Sequence, residues 1–421
     1  MKLVQESKLI KQKDHEIYFT ILIVLLWCNS ILLDYVRGAM LKIPILSFTA
    51  DLVIPIVIGA MFLLSMKSIA SRLCSTDLLF IMGMLVVYFA HWAIYPGNSY
   101  YYEGNMWSFL LGRLPLYFVG VAFCSEKQEE RLTILYKASV ATIYCFAVYH
   151  LVRQPLDNFT LGTGDMNSSY NLLPHACLVF YRMMQKPNGW NISAFTLSAL
   201  LLFLLGSRGP VLCIVIFAAV VLFMGKNIKR PVMFLIIAFV ALLAIFIEDF
   251  LYIVLGWAYD LAETFGLSTR VFDKYLSGDF AVSDTRIQIR NAVMHYLNEN
   301  PIFGLGIYGD RRVAGGHYAH NILIEILGQY GYVLGSIALI TIAVYVIRAY
   351  LFSRSSGDAV GVLVLMLLMG CNLKLMVSGS YLAEPFFFFL IGYCTAQLRR
   401  KKEADRKEIH KSALLKVRKH I

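Results

Sequence analysis

The chain has 421 residues, of which 58% are hydrophobic and only 15% charged. A soluble globular domain carries about 45–50% apolar and about 25% charged residues, so this composition excludes a soluble enzyme, a disordered chain and a secreted disulfide scaffold. It is that of a polytopic integral membrane protein, and its apolar residues would fill about twelve spans of ~20 residues. Apolar runs of spanning or near-spanning length fall at about 17–36, 43–66, 76–95, 108–125, 131–152, 170–185, 190–206, 209–225, 231–255, 320–347, 358–377 and 381–398. The expected fold class is all-α, with about twelve transmembrane helices and one long outside loop carrying short helices. Residues 1–255 would hold spans one to nine, 256–319 the loop, 320–398 the last three spans, and 399–421 a basic tail. No cleavable signal is expected ahead of the first span, because Met1–Glu16 is polar and no small-residue cleavage site follows.

Charge sets the register of these spans. The net charge is +11, and 25 of the 38 Lys and Arg residues fall in the segments that twelve spans place inside, ten of them between Arg399 and Lys419. Cytoplasmic loops collect Lys and Arg, so both termini are expected in the cytoplasm. The tail reads as a topology anchor against anionic lipid rather than a nucleic-acid site. The eight cysteines sit in or beside apolar spans without CxxC spacing, as packing residues do.

The remaining thirteen basic residues carry more information. Arg208, Arg270, Lys274, Arg286, Arg290, Arg311 and Arg312 fall on the expected outside, against the charge rule. Arg113, Lys137 and Lys374 fall within apolar spans, where an ionisable group is a functional candidate by default. Asp34, Asp51 and Glu384 are candidate ion-pair partners for Arg113 or Lys374.

In the long loop, Trp257–Phe265 has the composition of a helix lying on the membrane surface. Ser283–Asp284 is a plausible N-cap for a helix that Pro301 stops near Asn300. On that helix Arg286 and Arg290 are four apart and share a face. Gly304, Gly306, Gly309, Gly315 and Gly316 lead to His317 and His320. The loops Tyr95–Trp107 and Arg153–Ser169 are rich in Tyr, Asn, Asp, Gly and Thr, as sugar-facing surfaces often are.

Arg208 lies in the turn Leu205-Gly-Ser-Arg-Gly-Pro210 between the seventh and eighth spans. With Arg286, Arg290 and His320 it falls at one membrane face, at headgroup depth. Guanidinium forks suit bidentate phosphate binding and keep their charge in a partly dry site. These residues describe a pocket for a phosphate or pyrophosphate on a membrane lipid; a hairpin cap at Arg208 and solvated loop charges elsewhere are the bland alternative. The sequence holds no GxxxxGK[ST] loop, no HExxH and no GxSxG, so nothing marks ATP hydrolysis, a zinc protease or a serine nucleophile.

The pattern resembles the O-antigen polymerase and O-antigen ligase superfamily of bacterial envelope glycosyltransferases. The matching parts are Gly-Ser-Arg208-Gly, Asp284-Thr-Arg286, Asn300-Pro-Ile-Phe-Gly-Leu-Gly306, and Ala319-His320-Asn321 followed by Glu325 and Gly331, about 130 residues in all. The resemblance implies cofactor- and metal-independent transfer of a glycan from an undecaprenyl-pyrophosphate carrier, at the periplasmic face of the inner membrane. It implies Arg208, Arg286 and His320 as catalytic residues: the arginines neutralise the departing pyrophosphate, and His320 orients that phosphate or the acceptor hydroxyl. Arg290, Arg311, Arg312, His317, Asn321 and Arg113 are candidates for substrate binding, and Asp284 and Asp310 are the nearest candidates for a base. Implied partners are the undecaprenyl-pyrophosphate-linked oligosaccharide, a glycan or lipid A core acceptor, membrane lipid and a chain-length regulator. A polymerase is the preferred reading and a ligase the alternative. A flippase or secondary transporter is disfavoured, because the two halves are unlike and the conspicuous charges gather at one face.

Overall fold

The computed structural model describes residues 15–32, 44–157, 166–205, 208–224 and 284–419, together with 256–257, 259–260, 263–264 and 269. No strand occurs among them. In chain order the helices are α1 (His15–Leu32), α2 (Pro44–Ala70), α3 (Ser75–Ile94), α4 (Ser99–Gly112), α5 (Leu116–Phe123), α6 (Gln128–Asp157), α7 (Met166–Gln185), α8 (Gly189–Leu204) and α9 (Arg208–Met224). After the long segment come α10 (Asp284–Glu299), α11 (Gly309–Val313), α12 (Ile322–Ser355), α13 (Ala359–Asn372) and α14 (Pro385–Lys419).

A helix stands at every expected span except the ninth, 231–255, which lies outside the described residues, as does most of the expected surface helix 257–265. Among the described residues, seven helical segments are long and apolar enough to cross a membrane, and α8 and α9 are apolar but shorter. Three expectations change. The loop Tyr95–Trp107 is mostly helical: a short 3-10 turn, Pro96–Asn98, leads into α4. The fourth span is broken, because Pro115 cannot donate to the preceding turn and α5 restarts after Arg113–Pro115. The eleventh span ends as α-helix at Asn372, and α14 begins only at Pro385.

The chain forms two compact units. The first comprises residues 1–65 and 130–282. There Arg131 pairs with Glu16 at 2.5 Å and lies 4.6 Å over the Phe19 ring, joining α6 to α1. Trp27 donates to Ser139 Oγ at 2.9 Å, and His175 of α7 meets the same hydroxyl at 3.1 Å.

The second unit comprises residues 66–129 and 283–421. Its centre is the pair α5–α14. A Cβ on Gly120 would lie 2.2 Å from Phe389 O, and one on Gly392 would lie 2.0 Å from Tyr117 O, so the two backbones touch. Small residues permit such contact in a membrane, where packing has to replace the hydrophobic drive. At one end of this unit the fully buried Asp77 accepts from Arg399 Nη2 at 2.6 Å through both oxygens and from Tyr117 OH at 3.0 Å. Nearby, Asp358 accepts from Arg400 at 3.2 Å and from Gly361 N at 2.8 Å.

Removing one member of a buried ion pair strands the other charge. Asp77→Asn or Arg399→Gln alone should therefore destabilise the second unit by about 3–5 kcal/mol, while the double variant should lose much less than the sum. Thermal unfolding of the detergent-solubilised variants checks this, and additive losses would contradict it.

Candidate functional site

Away from the Asp77 end, the second unit is organised by a break in α12. Gly331 has φ 79° and ψ 173°, so Ile322–Tyr330 and Tyr332–Ser355 are two helices joined at a corner. The break frees carbonyls that membrane surroundings cannot satisfy. The motif Asn300-Pro-Ile-Phe-Gly-Leu-Gly306 supplies partners. Leu305 N donates to Gly328 O at 2.8 Å, Gly306 N to Gln329 O at 3.0 Å, and Tyr332 N to Pro301 O at 2.7 Å. A Cβ on Gly331 would sit 2.2 Å from Ile302 O, which is why only glycine fits the corner. The end of α3 holds the motif from its other side. Tyr95 OH donates to Phe303 O at 3.1 Å, and Asn98 Nδ2 donates to the carbonyls of Leu305 and Ile307 at 2.9 and 3.0 Å.

Behind this motif is a buried polar cluster. Asp310, Glu325 and Gln329 have 0% exposure. Gln329 Nε2 donates to Asp310 Oδ1 at 3.0 Å, and Ala319 N to Asp310 Oδ2 at 3.2 Å. Ser380 Oγ donates to Glu325 Oε1, Tyr381 N to Glu325 Oε2 at 3.3 Å, and Tyr381 OH to Gln329 Oε1 at 2.8 Å. Arg311 is buried here too, 4.5 Å over the Tyr308 ring and 3.5 Å from Ser380 Oγ. Burial pushes the Asp310 carboxyl above its ordinary range, opposed by the Gln329 hydrogen bond and by Arg311.

Beside the cluster lies His320, in the left-handed conformation at φ 55°. Arg290 Nη2 donates to His320 O at 3.4 Å, and Arg286 Nη1 donates to Val377 O at 3.3 Å. Asn321 caps α12, accepting from Leu323 N at 2.9 Å and Ile324 N at 3.2 Å, while its Nδ2 donates to Met376 O at 3.0 Å. His320 Nδ1 and Arg290 Nε are both buried without a hydrogen-bond partner. Such atoms carry a desolvation cost that a bound polar group would relieve. Burial, then Arg286, His317 and Arg290, pull the His320 imidazole down to about 4, so it is neutral near pH 7.

The connection 373–384, which Arg286 and Asn321 reach, opens with a 3-10 turn, Leu373–Met376, that continues α13. Its charges are paired: Lys374 Nζ meets Glu384 Oε2 at 2.6 Å, with both side chains mostly buried.

The structure thus brings Arg286, Arg290, His320 and Asn321 together. His317 and Arg312 are exposed, and Arg312 Nη1 lies against Gly97. Arg311 turns into the cluster rather than outward. Arg113, at the α4–α5 break, reaches only Gly112 O at 3.4 Å, and its Nε is buried and unpaired. Arg208 opens α9 in the first unit, and its side chain, like that of Asp284, lies outside the described residues. Asp310 has both oxygens occupied and no exposure, so the sequence-based candidate for a base is closed off from substrate. Gln329, Ser380 and Tyr381 escape sequence reading because uncharged polar residues in an apolar run carry no distinctive spacing.

Residues 193–339 match the family model described as O-antigen ligase. That stretch, 147 of the 421 residues, is similar to the O-antigen ligase family. Its members are glycosyltransferase-like enzymes. No curated relative matches the chain. The matched stretch runs from within α8 to the middle of α12, and so takes in Arg208, Arg286, Arg290, Asp310, His320 and Asn321, whereas Arg113 and Lys374 lie outside it.

In this stretch Gly331→Ala would combine a forbidden backbone conformation with a backbone clash. The expected cost is about 2–5 kcal/mol, read as a lowered melting temperature in detergent. An unchanged melting temperature would contradict the corner described here.

Proposed function

We propose that the chain transfers a glycan from undecaprenyl pyrophosphate to an acceptor hydroxyl at the periplasmic face of the bacterial inner membrane, without metal or cofactor. The observation that carries this reading is the pair of unpaired buried atoms, Arg290 Nε and His320 Nδ1, beside Arg286. Pyrophosphate departs readily once its charge is compensated, and cations held in place beforehand supply that compensation without reorganisation. Arg286 and Arg290 take this role. Arg312 and His317, both exposed, and Arg113 are secondary contacts for glycan or lipid phosphate, and Asn321 fixes the start of α12. Arg311, buried in the same cluster, opposes the rise of the Asp310 pKa.

The neutral imidazole suits His320 to the acceptor rather than the phosphate. A pyrophosphate bound at Arg286 and Arg290 would offset the two charges that depress its pKa. Donor binding would thereby raise its basicity as the acceptor hydroxyl arrives. Before donor binds, the acid limb of kcat/KM should lie well below the ordinary histidine range, close to the value of about 4 set by the free site. A limb at an unperturbed histidine value would contradict the dry cationic setting.

With a second lipid-linked repeat unit as acceptor, the reaction is polymerisation of O-antigen or a similar surface polysaccharide, which is the reading we favour. With lipid A core as acceptor it is ligation, which the description of the matching family model favours. Arg286→Ala in the native host separates them, given unchanged protein levels in the membrane. A single repeat on lipid A core means polymerase, and bare core with long glycan left on the carrier means ligase. A normal ladder would remove Arg286 from the site.

A further inference from the structure

His320 combines two features that work against each other: a side chain needed at one place and a backbone conformation that L-residues with a Cβ rarely adopt. Such a residue persists where its surroundings over-determine it. The backbone is held on both sides of His320, at its own carbonyl and at the N–H of the residue before it. Arg290 donates to its carbonyl at 3.4 Å. Ahead of it, Ala319 N donates to Asp310 Oδ2 at 3.2 Å, and Ala319 has 0% exposure. Asp310 is itself fixed from behind, because Gln329 Nε2 holds Oδ1 at 3.0 Å while Gln329 Oε1 accepts from Tyr381 OH at 2.8 Å. Arg311 reaches Ser380 and the face of Tyr308 rather than locking the Asp310 carboxylate in an ion pair.

We propose that Asp310 is the positioning residue for His320: its carboxylate, acting through Ala319 N–H, holds the left-handed turn that keeps the imidazole at the transfer site. This rests on the role given to His320 under the proposed function. Asp310 itself touches no substrate, since it is wholly buried with both oxygens bonded. In place, the imidazole lies 4.2 Å from the Tyr318 ring, centroid to centroid, and feels Arg286 and Arg290 from α10 and His317 from its own turn. Without the Asp310 anchor the turn relaxes to the ordinary backbone region and the ring leaves that setting.

Asp310→Asn tests this with little change of shape. An asparagine has one oxygen for two donors, Ala319 N and Gln329 Nε2, and Gln329 can turn over only if Tyr381 OH switches from donor to acceptor. Gln329→Met is the second variant; it leaves Asp310 intact and removes its support. Purified protein in nanodiscs is given an undecaprenyl-pyrophosphate-linked oligosaccharide and an oligosaccharide acceptor across about pH 5–9, the range over which a histidine changes charge. The expected result for Asp310→Asn is a fall in kcat of roughly 10²-fold with the donor KM unchanged, since Arg286 and Arg290 remain. The double variant with His320→Ala is expected to be no slower than His320→Ala alone. The acid limb of the residual activity should move up toward an ordinary histidine. If Asp310→Asn does not accumulate, Gln329→Met carries the test through the same three readouts. Full activity in the accumulating variant beside an inactive His320→Ala overturns the positioning role and leaves the functional reading standing; losses that multiply in the double variant do the same. Full activity in His320→Ala overturns both.

Discussion

A helix broken inside apolar surroundings has to find partners for the backbone groups it frees, and the second unit is built around one such repair. At Gly331 the chain turns a corner in α12, and the Asn300–Gly306 motif takes up Gly328 O, Gln329 O and Tyr332 N. The corner lets the first segment of α12 tip, so that Asn321 at its start reaches Met376 O. That contact brings His320 beside Arg290, and the Ala319 peptide within reach of Asp310. The glycines of the motif therefore serve packing, and through packing they place the polar residues around them.

Below the corner, charge is buried only where it is matched. Asp77 has Arg399 and Glu384 has Lys374, while Asp310 accepts from Gln329 and Ala319, and Glu325 from Ser380 and Tyr381 N. Among the described Arg and His side chains of this unit the exceptions are Nε of Arg290, Arg311 and Arg113, and Nδ1 of His320. Two of these four adjoin one another across a 3.4 Å hydrogen bond between their residues, which sets Arg290 and His320 apart from the ion pairs around them.

Much of this was legible in the sequence. Hydropathy located a helix at each described span, and the cap at Ser283–Asp284 with Pro301 bracketed α10 closely. The spacing of Arg286 and Arg290 put both on one face, and both are half-buried beside His320. Arg311 and Arg312 read alike because they are neighbours in a polar stretch. On a helix, though, adjacent residues point about 100° apart, and α11 turns one into the cluster and leaves the other exposed. The 373–384 connection was hidden because Leu-Lys-Leu-Met-Val averages as apolar, although Ser378-Gly-Ser380 and Pro385 mark where the helices stop. Glu384, named from the sequence as a candidate partner for Lys374, does pair with it, because the connection folds back.

The site we propose for a lipid pyrophosphate is formed by Arg286, Arg290 and His320. The most direct measurement is equilibrium binding of undecaprenyl pyrophosphate to the purified protein in nanodiscs, comparing the wild type with Arg286→Gln/Arg290→Gln. Two lost charge-assisted contacts of about 1.5–3 kcal/mol each predict an affinity at least about a hundredfold weaker, and wild-type binding that falls as salt rises. Equal affinity in the two proteins, independent of salt, would contradict the claim.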